Sequence, residues 1–279
     1  MRTVIGRYLC LCAALALVAF PHAQENAAEA ARRKSLDSIL DTYVRDGFVY
    51  YRALKLDRRK LDAYLGDVAT ASIENEPKDA QLAFWLNTYD ALVLKTVIDH
   101  YPIPQRSHEY PPHSIRQIPG AFERLQHKAA GRSVTLDQIE QTILAGFRDP
   151  RVFFAIGRGA VGGGRLRSEA YTPGRLDAQL SEVEAECASR PQCVQIDRDE
   201  KKVMANAIFS WRDKDFAAVY ASGVHEPFEQ RSDSERAVLG FVWPKLLTTE
   251  KDFLSKNEWR MAYQPFDWSL NDLTGRGGR

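Results

Sequence analysis

The residues best equipped for chemistry crowd the stretch GRGAVGGGRLR, residues 157–167. Gly157, Gly159 and Gly162 satisfy G-x-G-x-x-G directly after the apolar run VFFAI, the pattern of a dinucleotide-binding turn. The next helix, however, is expected only near Thr172, and no repeated strand–helix–strand pattern surrounds the turn, which argues against that use. A less committed reading survives: the glycines permit close backbone approach, and Arg158, Arg165 and Arg167 supply positive charge, so the turn suits a carboxylate or phosphate. A solvated loop whose arginines face water is the alternative. His108 and His113 flank Glu109, but their offset is neither HExxH nor a zinc-finger spacing, so no metal and no cofactor is expected. There is no G-x-S-x-G elbow for a nucleophilic serine. Glu140 and Asp149 are the carboxylates placed for acid–base work, and whether they act as a pair depends on the fold.

The elements that must position these groups follow from periodicity. Leu36, Ile39, Leu40, Tyr43 and Val44 fall at helical spacing before Gly47, and FVYY, from Phe48, reads as a short strand. Leu61, Tyr64, Leu65 and Val68 mark a second helix. Pro77 opens a third, whose wide apolar stripe runs from Leu82 to His100 and makes it central to the core. Five prolines between Tyr101 and Gly120 forbid regular structure there, so that segment is a surface connection or a binding loop. Thr135 with Gln138 forms a capping box ahead of Ile139, Ile143 and Leu144. VFFAI, residues 152–156, reads as a strand, and Thr172–Pro173 starts another helix. Ser232 with Glu235 repeats the capping box before an apolar run that Pro244 interrupts. Few, scattered strands among helical blocks predict a helix-dominated α+β fold, a single domain with a small sheet. The division is a signal peptide at 1–23, an N-terminal helix at 24–47, the main domain at 48–274 and a flexible tail at 275–279.

The start of the chain places Arg2 and Arg7 before an apolar run from Tyr8 to Phe20, with Ala23 ahead of polar sequence, the layout of an export signal. The run is too short to span a bilayer, which takes roughly 20 residues. Cleavage after Ala23 would leave 36 basic and 37 acidic residues of the original 38 and 37. That balance argues against nucleic-acid binding, which needs a basic surplus. A periplasmic or extracellular location is expected, with no integral membrane segment after cleavage. Cys10 and Cys12 leave with the signal. Cys187 and Cys193, separated by a Pro-containing turn, then become disulfide candidates in an oxidising compartment, and a loop this short is worth about 2 kcal/mol.

Taken in order, FWLNTYDALVLKTVIDHYP, SIRQI, TLDQIEQTIL, DPRVFFAIGRG, LRSEAY, FSWRDKDF and YQPFDWSLND resemble the DUF547 family, a domain of unknown function, over about Phe48 to Asn271. The resemblance implies a histidine in the segment after DPR, another just after Glu140, and a loop with two cysteines and a proline. Here Phe153, Gln141, Arg158, Gly163 and Gly164 stand at those positions. Arginine is permanently cationic and offers only donors, so Arg158 cannot replace a thiolate as nucleophile or soft-metal ligand, though it can bind an anion. The candidate site residues are Asn87, Arg116, Glu140, Arg158, Gly159 and Arg167, with Asn87 expected to tie down a loop backbone.

Two functional readings stay open. One is an exported, soluble, non-catalytic domain that binds a small anionic ligand or a protein partner. The other is a hydrolase using carboxylate rather than thiol chemistry; beside both stands a purely structural module, for which the aromatic residues Trp211, Trp243, Trp259 and Trp268 are equally suited.

Overall fold

The computed structural model describes residues 26–224 and 226–274; the signal peptide and the glycine-rich tail expected from the sequence lie outside them. Among the described residues there are eleven α-helical segments and only short strands, in sheets of two or three. The fold is α+β and helix-dominated. No described helix is long and apolar enough to cross a membrane.

Helix α1 (Ala27–Tyr43) begins at Asn26, whose side chain caps Glu29 N–H, and packs Leu36, Ile39 and Leu40 into the core. The strands β1 (Val44–Arg45) and β2 (Phe48–Val49) form a minimal hairpin around Asp46 and Gly47, both at positive φ. The chain then turns into α2 (Tyr51–Leu56) and α3 (Arg59–Ala69). The strand expected over FVYY is therefore two residues long, because Tyr51 enters a helix and is buried there.

Helix α4 (Lys78–His100) is the axis of the molecule. It is buried on nearly every side from Ala80 to Ile98, so its apolar stripe widens into a continuous surface, as in a helix surrounded by neighbours. Asn87, Tyr89, Asp90 and Thr96 in that stretch find hydrogen-bond partners, whereas the buried hydroxyl of Thr88 has none among the described residues. After the proline loop come the hairpin strands β3 (His127–Ala129) and β4 (Arg132–Val134). Thr135 and Gln138 make the reciprocal capping box on α5 (Leu136–Gln138), which widens into a π-helical turn over Ile139–Leu144.

VFFA is not a strand. Residues Val152–Ala155 form a single helical turn, α6, fixed by Arg151, which grips Asp149 through two nitrogens and also reaches Asp177 and Ser181. A run apolar at every position fits a buried helical turn as well as a buried strand, and four residues are too few for periodicity to decide. Phe154 instead joins Phe209, Phe216 and Phe241 in an aromatic cluster, with ring centroids 4.8–5.9 Å apart.

Helix α7 (Leu176–Ser189) leads to the Cys187–Cys193 pair, which is disulfide-bonded with Cα atoms 5.1 Å apart. The largest sheet has β6 (Lys202–Asn206) at its centre, antiparallel to β5 (Val194–Asp197) and parallel to β7 (Arg260–Gln264). Between β6 and β7 lie α8 (Ala207–Trp211), α9 (Asp213–Tyr220), α10 (Asp233–Val242) and α11 (Thr248–Lys256). Past β7 the chain crosses back over the glycine turn. Val161 N–H donates to Ser269 O at 2.9 Å and Gly162 N–H to Asp267 O at 2.8 Å, so residues 267–271 strap the turn down.

Candidate functional site

The glycine turn is a packing device. A Cβ on Gly164 would lie 1.6 Å from the carbonyl oxygen of Phe154, and Gly159 sits at φ +65° against Val93, Val97 and Ile115. The close approach that the glycines permit is to the protein's own backbone and core. The turn's arginines do not face water as a group. Arg165 pairs with Asp46 and Glu186, both at 3.2 Å, and Arg167 pairs with Glu169 and with Glu182 at 2.7 Å. The surplus of positive charge suggested by the sequence is answered residue by residue.

Arg158 points the other way, into the protein, where it is 2% exposed. Its Nε and a terminal nitrogen donate to the two oxygens of Glu140 at 3.1 and 2.6 Å, and its other terminal nitrogen donates to Phe153 O at 2.9 Å. This two-bond, fork-to-carboxylate geometry is the strongest form of the contact. Tyr89, from α4, adds a hydroxyl donor to Glu140 at 3.2 Å, and burial raises its phenol well above the usual range. Beneath it Asp90 accepts Gly157 N–H at 2.7 Å, and burial pushes its carboxyl up to about 8 despite that bond and the nearby Arg158.

The pair forms the floor of a cavity of about 230 Å³. Phe122, Trp268 and Trp211 give it aromatic walls, while Arg116, Asp137 and Gln141 stand around it. Arg116 lies with its guanidinium carbon 4.5 Å from the ring centroids of both Phe122 and Trp268 and pairs with Glu123. Trp211 and Trp268 are nearly coplanar in orientation, 19° apart with centroids at 6.2 Å, and Phe266 touches both. Trp211 remains 48% exposed. The carboxylate of Asp137 has no hydrogen-bond or ion-pair partner among the described residues, while its backbone N–H donates to Phe122 O at 3.0 Å; burial, then Glu123 and Glu140, raise its carboxyl. The π turn makes this arrangement possible, since its wider circumference brings the consecutive residues Glu140 and Gln141 to the same cavity. Behind Gln141, Arg212 donates to its amide oxygen, covers the Phe153 ring at 3.9 Å and pairs with Asp215 at 2.9 Å.

Of the residues singled out from sequence, Arg116, Glu140 and Arg158 therefore meet at one cavity. Asn87 is elsewhere: its amide donates to Tyr171 O at 2.9 Å and accepts Tyr171 N–H at 2.7 Å, so it ties a buried loop to α4. Arg167 lies in a separate, highly charged depression of about 450 Å³ with Asp41, Asp46 and Glu169. Sequence reasoning missed Asp137, Trp211 and Trp268 as members of the site. The available signal was that both tryptophans fall within the FSWRDKDF and YQPFDWSLND segments. Among the described residues no cluster of three or more His, Cys, Asp or Glu side chains is arranged to hold a metal ion.

Residues 73–186 match the sequence profile of DUF547, described as a protein of unknown function. That span runs from the approach to α4 to the last turns of α7 and includes Arg116, Asp137, Glu140 and Arg158; Trp211 and Trp268 come from beyond it. No curated protein and no solved structure matches the chain.

Proposed function

On the premise that a DUF547 domain occupies residues 73–186, we propose that this chain is an exported, non-catalytic binding domain whose site is the aromatic-walled cavity above Arg158 and Glu140. The observation that carries the reading is Arg158 itself. It stands where the family resemblance implies a reactive cysteine, yet its guanidinium is buried and spent on Glu140 and the Phe153 carbonyl. Such a floor is rigid, electrically closed and without a nucleophile. A concave site with apolar walls and a few converging polar groups is the usual form of a ligand pocket. Anion capture at the glycine turn has less support, because Arg165 and Arg167 already face acids.

A thermal-shift screen of chemically diverse small molecules tests this. Compounds that stabilise the wild type should lose that effect in Trp211→Ala; stabilisers indifferent to Trp211 would contradict it. One observation favours the hydrolase alternative, the unpaired Asp137 with its raised carboxyl beside Glu140. Turnover of nitrophenyl ester or glycoside probes that disappears in Asp137→Asn would replace the binding reading. Export rests on Arg2, Arg7 and the apolar run to Phe20, and the Cys187–Cys193 bond suits an oxidising compartment. N-terminal sequencing of the exported chain should read from Gln24, and an intact Met1 would count against cleavage.

A further inference from the structure

We propose that the ligand of this cavity is an uncharged sugar unit at the end or branch of a glycan, stacked on the half-exposed Trp211 beside Trp268; the proposal rests on the binding reading above. Charge is the first argument. Arg158 is answered by Glu140, Arg116 by Glu123, and Arg212 behind them by Asp215. An anionic ligand would find no uncommitted cation and would meet the carboxylate of Asp137. A cationic ligand could approach Asp137 but would also meet the guanidinium groups of Arg116 and Arg158, and Arg116 already occupies one face each of Phe122 and Trp268 at 4.5 Å. The cavity is therefore matched to a neutral molecule.

The second argument is the kind of neutral molecule. Trp211 and Trp268 present an aromatic wall with one ring half open to solvent, and three polar side chains retain hydrogen-bonding capacity beside it. Both oxygens of Asp137 lack partners among the described residues, Gln141 has its amide nitrogen free, and Arg116 holds a buried Nε without an acceptor. Acceptors and donors thus lie side by side, the array that hydroxyl groups satisfy because each both donates and accepts. A pyranose has an apolar face of C–H groups to lay on a ring and a rim of hydroxyls to reach such an array. Size is the third argument. At about 230 Å³ the cavity falls below the roughly 300–1,000 Å³ of sites that enclose a drug-sized ligand. It takes one ring, and the exposed Trp211 leaves an exit for the rest of the chain.

Tryptophan fluorescence of the full-length processed chain, titrated with neutral oligomers of glucose, xylose and N-acetylglucosamine, tests the proposal; oligogalacturonate, spermidine and adenosine serve as charged and planar comparators. Saturable binding of at least one neutral series is expected, weakened by roughly tenfold or more in both Trp211→Ala and Asp137→Asn, each checked for native circular dichroism. Saturation by a comparator alone, lost in the same variants, overturns the sugar assignment and leaves the cavity reading standing. No response to any probe, or a response unchanged in both variants, overturns the two together.

Discussion

Removing the guanidinium of Arg158 would leave the nearly buried carboxylate of Glu140 without its ion-pair partner, and that follows from geometry rather than from any functional role. Breaking a buried ion pair from one side costs about 3–5 kcal/mol, whereas replacing both partners by apolar residues of similar size is often neutral. Arg158→Ala should therefore lower the urea-unfolding free energy by that amount, and Arg158→Met with Glu140→Leu should lower it less than the single change. Equal losses would mean the pair is not coupled. Asp90 gives a second prediction at this scale. Its folded carboxyl titrates near pH 8 against an ordinary 3.8. Its contribution is thus fully present below the unfolded value and is lost as pH rises through the folded one, by up to about 1.4 kcal/mol per pH unit. Asp90→Asn should flatten that decline, so the variant gains on the wild type between pH 4 and 8; parallel stability curves would contradict the assignment. The role of Asn87 as a backbone tie was legible in its type and its apolar neighbours. The inward turn of Arg158 was not, because nothing local distinguishes a buried arginine from a solvated one; its partner lies 18 residues away.

At the scale of elements, boundaries set by side-chain chemistry were readable. The capping boxes at Thr135 and Ser232 and the stripe of α4 all stand where residue type and spacing place them. Elements set by tertiary contact were not. VFFA forms a helical turn because Arg151 and the Phe209–Phe216–Phe241 cluster hold it, and no period can be read from four apolar residues. The π turn over Ile139–Leu144 was equally hidden, though it is what sets Glu140 and Gln141 at one cavity. The glycine turn carries the sharpest test of an element. A methyl on Gly164 would meet the Phe154 carbonyl at 1.6 Å, so Gly164→Ala must displace backbone. It should cost several times the ~1 kcal/mol typical of a point mutation. An alanine variant melting with the wild type would refute the packing described for the turn.

The whole molecule builds its cavity from segments far apart in sequence. Arg116 comes from the proline loop, Asp137 and Glu140 from the capped turn, Arg158 from the glycine turn, Trp211 from the end of α8, and Trp268 from the strap that follows β7. The family match ends before the last two of these, so the aromatic wall is assembled only when residues 267–271 cross the glycine turn. Overall charge balance was visible in the composition, but its local form, in which the cavity's arginines have each been given an acid, emerges only from the fold. The central claim is that this cavity is where the chain meets its ligand. A fragment screen read on the indole N–H signals of the five tryptophans, assigned by single Trp→Phe changes, tests it most directly. The account predicts that hits shift Trp211 and Trp268 and leave Trp85, Trp243 and Trp259 in place; hits that move only Trp243 or Trp259 would contradict it.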